Sequence, residues 1–102
     1  MKLFYVTLNT EEEVKKISLD LLERRVAVCT NWWPINCLYR WEGEIKQEQE
    51  FVMIVKTQED KREEIEKILS SHITYTNFIA EIDVNSVNEK FASWLNTEVK
   101  DA

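Results

Sequence analysis

Glycine and proline are nearly missing from this chain of 102 residues, with one of each. So few turn-formers predict few sharp turns and a chain spent mostly in regular elements. They also exclude a glycine-rich phosphate cradle, and the sequence holds no P-loop, nucleophile elbow or zincin helix. Histidine occurs once and cysteine twice, so Cys29, Cys37 and His72 are the whole supply of soft metal donors. No apolar run approaches the roughly 20 residues of a membrane span, and no charged and apolar leader opens the chain. These two absences set the expectation of a cytoplasmic protein with no membrane contact. Basic excess is absent too. A net charge of -6 opposes a nucleic-acid partner, which needs a cationic footprint. With no catalytic constellation in view, an enzyme is not expected.

What is present is strong periodicity. Lys2 to Leu8 alternates as a first strand, with Phe4, Val6 and Leu8 on one face and Leu3 and Tyr5 on the other. Thr10 and Glu13 form a capping box ahead of the helical stripe Val14, Ile17, Leu21 and Leu22, which ends near Arg24. A second strand starts at Val26. Pro34 is expected to interrupt it at an edge or bulge before it resumes toward Trp41. A tight turn at Gly43 leads into a third strand ending at Thr57. Asp60 and Glu63 offer a cap for a second helix carrying Ile65, Ile68 and Leu69. Phe78, Ala80, Ile82 and Val84 alternate with Glu81 and Asp83 as a half-buried fourth strand, and Ser86 and Glu89 offer a box for a closing helix.

The order β-α-β-β-α-β with a trailing short helix predicts an α+β, ferredoxin-like sandwich in one domain, residues 1–102. Both main helices then cover one face of the sheet. The other face stays open, yet the third strand is apolar on both sides: Phe51, Met53 and Val55 point one way, Val52 and Ile54 the other. Trp32, Trp33, Tyr39 and Trp41 add aromatic area nearby. Such a surface predicts self-association. Trp41→Ala is expected to cost about 3–5 kcal/mol if the side chain is fully buried.

The hairpin also carries a family resemblance. Tyr39-Arg40-Trp41-Glu42-Gly43, then Glu48 and Glu50, then Ile54-Val55-Lys56-Thr57, resembles the signature of the CutA family, the divalent-cation tolerance proteins. Val6-Thr7-Leu8-Asn9-Thr10, Val26-Ala27-Val28-Cys29 and Phe91-Ala92-Ser93-Trp94-Leu95 extend the likeness to both ends. The resemblance implies a stable homotrimer with sheets packed inward, a role in metal-ion tolerance with copper the usual metal, and kinship with trimeric PII-like regulators. The chain departs from the family where a His-Pro-Tyr segment is usual. Here Ser71-His72-Ile73-Thr74-Tyr75 has no proline.

Two classes of function follow. One is a trimeric metal-response protein that binds divalent ions weakly, with Cys29 and His72 as candidate ligands completed by a neighbouring subunit. Cys29 and Cys37 would lie about 26 Å apart on one uninterrupted strand at roughly 3.3 Å per residue, so they form neither a disulfide nor a chelate alone. The packing alternatives are a small buried Cys29 and a hydrogen-bonded His72 continuing the second helix's stripe. The other class is a PII-like regulator or scaffold holding a small ligand or partner protein in clefts between subunits, lined by Tyr39, Trp41, Glu48, Lys56 and Trp94. Glu48 and Glu50 share a strand face, expected near Lys56. With Glu42 and Glu44 they suit salt bridges or harder ions.

Overall fold

The computed structural model describes residues 1–100. Its order is β1 (Lys2–Leu8), α1 (Glu11–Glu23), β2 (Cys29–Trp41), β3 (Glu44–Thr57), α2 (Arg62–His72), β4 (Ile79–Asp83) and α3 (Glu89–Glu98). The four strands form one antiparallel sheet in the order β2-β3-β1-β4. This is the split β-α-β arrangement expected from the order of elements.

The core forms where the alternation demands it. Phe4, Val6 and Leu8 of β1 lie beside Met53 and Val55 of β3, under Val14, Ile17 and Leu21 of α1 and Ile65, Ile68 and Leu69 of α2. Thr10 caps α1 as expected: its hydroxyl accepts from Glu13 N at 3.1 Å, and Glu13 Oε1 accepts from Thr10 N at 3.1 Å. Between helix and sheet, Thr30 Oγ1 donates to Ser18 Oγ at 2.8 Å and Thr57 Oγ1 to the Val26 carbonyl at 2.6 Å. Trp32 belongs to this helix-covered side, its indole donating to Glu11 Oε2 at 3.0 Å.

Several local expectations are corrected. Pro34 sits on an edge strand but does not interrupt it: β2 pairs with β3 in unbroken register from Cys29 opposite Lys56 to Trp41 opposite Glu44. An edge position tolerates the missing N–H. The second and third caps differ as well. Lys61 and Asn88 precede α2 and α3, and neither makes a side-chain capping bond. Two sharp turns are made without glycine, at Arg25 and Asp60, both with positive φ. Glu42 (φ 48°) and Gly43 (φ 80°) occupy a two-residue hairpin loop, whose paired positive φ values match the twist of the strands. The sequence assigns β4 no particular face; in the structure Ile79 packs on the helix-side core, while the alternation of Ala80 and Ile82 faces away from the helices. Ala80 and Ile82 register with Tyr5 and Leu3 of β1, on the opposite side from Phe4.

Arg25 ties the last helix to the body. It follows the α1 cap Arg24, and Val26 N donates to Leu21 O while Arg25 N donates to Leu22 O, both at 3.0 Å. That is a Schellman closure with arginine where glycine is usual. Its guanidinium donates to the Thr97 carbonyl at 2.7 Å and the Glu98 carbonyl at 2.9 Å, satisfying the C-terminal end of α3. α3 therefore crosses the otherwise open face at one end, packing Leu95, Val99 and Phe91 against Val28 and Cys29.

Candidate functional site

The β2–β3 hairpin outruns the rest of the sheet. β1 pairs with β3 only between Phe51 and Thr57, so Ile35–Trp41 and Glu44–Glu50 project as a two-stranded arm of seven residues a side, about 23 Å at the usual strand rise. An unsupported hairpin of this kind is marginal in water. This one is apolar on both sides: Trp41 is 51% exposed on the open-face side, and Leu38 and Ile45 are 70% and 71% exposed on the other.

Where the arm leaves the sheet, the open face forms a groove of about 560 Å³. Its floor is Tyr5 and Thr7 of β1 with Glu48 and Glu50 of β3. One wall is Ile35, Cys37, Tyr39 and Trp41 of β2, and the other is the Tyr75–Phe78 segment. The second wall is strapped down. Thr7 N donates to the Phe78 carbonyl at 3.0 Å, Phe78 N to Thr7 Oγ1 at 3.1 Å, and Asn77 Nδ2 to the Thr7 carbonyl at 2.8 Å. Tyr75 Oη donates to Glu13 Oε1 at 2.6 Å and accepts from Asn9 N at 2.9 Å. Tyr5 and Phe78 stack edge to face, 5.9 Å between centroids.

The groove is electronegative. The Glu48 carboxylate beside Tyr39 pushes its phenol above the usual range. Burial, then the nearby Glu50 carboxylate, raises the Cys37 thiol. Burial, then Glu13, raises the Tyr75 phenol. No lysine, arginine or histidine lines the groove. Lys46, on the same face opposite Tyr39, turns toward Glu44 at 3.9 Å.

Of the five cleft residues expected from sequence, the groove unites Tyr39, Trp41 and Glu48. Lys56 pairs with Cys29, eight residues along the strand from Glu48 and so roughly 26 Å away, not beside the two glutamates as expected. Its ammonium sits 5.6 Å from the Phe91 ring centroid. Trp94 lies near Leu22, Arg25 and Val28. The strand alternation could have supplied Cys37, Ile35 and Glu50, and it did mark Phe78; Tyr75, Thr76 and Asn77 carried no periodic signal.

The candidate metal ligands fall on opposite sides of the sheet. Cys29 lies against α3 on the open side, whereas His72 ends α2 in the helix layer, with Nε2 2.9 Å from Asp20 Oδ2. His72 and Arg24 together hold the Asp20 carboxyl below its ordinary range. Among the described residues, no three His, Cys, Asp or Glu side chains converge as a metal site requires. Cys29 and Cys37 are both free thiols.

A ferredoxin-like sandwich with a projecting arm and a groove on its uncovered face defines a small α+β protein class built to present a sheet. Three comparisons place it further. A family model described as CutA1 divalent ion tolerance protein matches residues 2–98. The divalent-cation tolerance protein CutA of Pyrococcus horikoshii is 37% identical over 98% of this chain and 99% of its own. The solved structure of the Archaeoglobus fulgidus protein superposes with a TM-score of 0.93 at 33% identity, covering 98% of this chain and all of that one. The chain belongs to the CutA1 family.

Membership carries the family's general role in divalent-cation tolerance, and CutA family proteins are non-catalytic. One expectation is overturned. The Archaeoglobus protein is described as a periplasmic divalent cation tolerance protein, which conflicts with a cytoplasmic assignment. That assignment rested on missing signals, and a missing signal does not specify a compartment. No helix among the described residues is long and apolar enough to cross a membrane.

Proposed function

We propose that this chain, a single domain over residues 1–102, acts as a homotrimer that serves ion tolerance by holding divalent ions, copper among them, weakly at its subunit boundaries. One observation carries the reading: the protomer leaves Trp41, Leu38 and Ile45 at least half exposed on an arm that has no third strand. Neighbouring protomers that clasp this arm would remove oily surface from water and support the unpaired hairpin. In this reading Cys29 and His72 act as ligands only with donors from an adjacent subunit, since they do not converge within one protomer.

The groove favours a second reading, a PII-like regulator or scaffold that holds a small ligand or partner protein between subunits. Tyr39, Trp41 and Glu48 line the cleft in one protomer, and Lys56 and Trp94 belong to the surfaces a neighbour would meet. Native mass spectrometry of untreated protein separates the two. The first reading expects three copies with copper retained at micromolar ion, and Cys29→Ser with His72→Gln weakening it. A metal-free trimer that takes up no copper below millimolar concentration removes the first reading. A co-purified small molecule favours the second.

A further inference from the structure

We draw no further inference here: the strongest candidate, the helix-side face of the β2–β3 arm with its exposed Leu38 and Ile45, is an unpartnered apolar patch already given to the proposed trimer, and nothing in the structure shows what else would cover it.

Discussion

Individual side chains here often do two things at once. Thr10 is a case with a clear magnitude. It closes a reciprocal cap on α1, so Thr10→Ala should lower stability by about 1 kcal/mol, read as a lower urea midpoint with an unchanged slope. Asp20 links α1 to α2 through His72 and also pairs with Arg24 at 2.7 Å. Its folded pKa is lowered, first by His72 and then by Arg24. A depressed carboxyl contributes stability that is complete above its unfolded pKa, near 4, and is lost as pH falls through the folded value. Asp20→Asn should therefore be less stable than the parent at pH 6, by under about 1 kcal/mol for so partly exposed a pair. The two should converge as pH falls through the lowered folded pKa of Asp20. A gap that persists at low pH would mean the pair acts by packing instead. At this scale the sequence was legible where a residue type has one common local role, as Thr10 does. It was not where a neighbour far along the chain decides: nothing in the spacing of His72 names Asp20 as its partner.

Among the elements, β1, α1, β3 and the order of the whole fold were readable because each buries one face at a fixed period. The residues before α2 and α3 were not, since Asp60 and Ser86 are capping types in a position that backbone geometry does not use. β4 was found without its face. Ala80 and Ile82 serve the open face while Ile79 packs on the helix-side core, a choice that register makes and composition cannot. Three of the five expected cleft residues came together because β2 and β3 alternate regularly, and Lys56 fell away because regularity also carries it to the far end of the strand. Two element tests follow. Glu42→Asn in the hairpin loop should raise stability by a few tenths of a kcal/mol or more, because Asn tolerates positive φ better than Glu; an unchanged or lower melting temperature would contradict the turn assignment. Arg25→Ala removes the bonds to the Thr97 and Glu98 carbonyls. Amide hydrogen exchange in α3 should accelerate while that of α1 changes little.

For the molecule as a whole, the uncovered sheet and the arm govern behaviour. The structure is elongated, 46 × 26 × 20 Å, because the hairpin extends beyond the body. Trp41 is half exposed in the protomer, so the cost of about 3–5 kcal/mol expected for a buried tryptophan cannot arise inside one chain. If neighbours clasp the arm, Trp41→Ala should instead weaken association, seen as a melting temperature that depends more steeply on protein concentration than the parent's. The direct measurement is sedimentation equilibrium of untreated protein in dilute neutral buffer. A single species of three chains is expected at micromolar concentration, with no detectable free protomer. A homogeneous particle with the mass of one 12.2 kDa chain would contradict it.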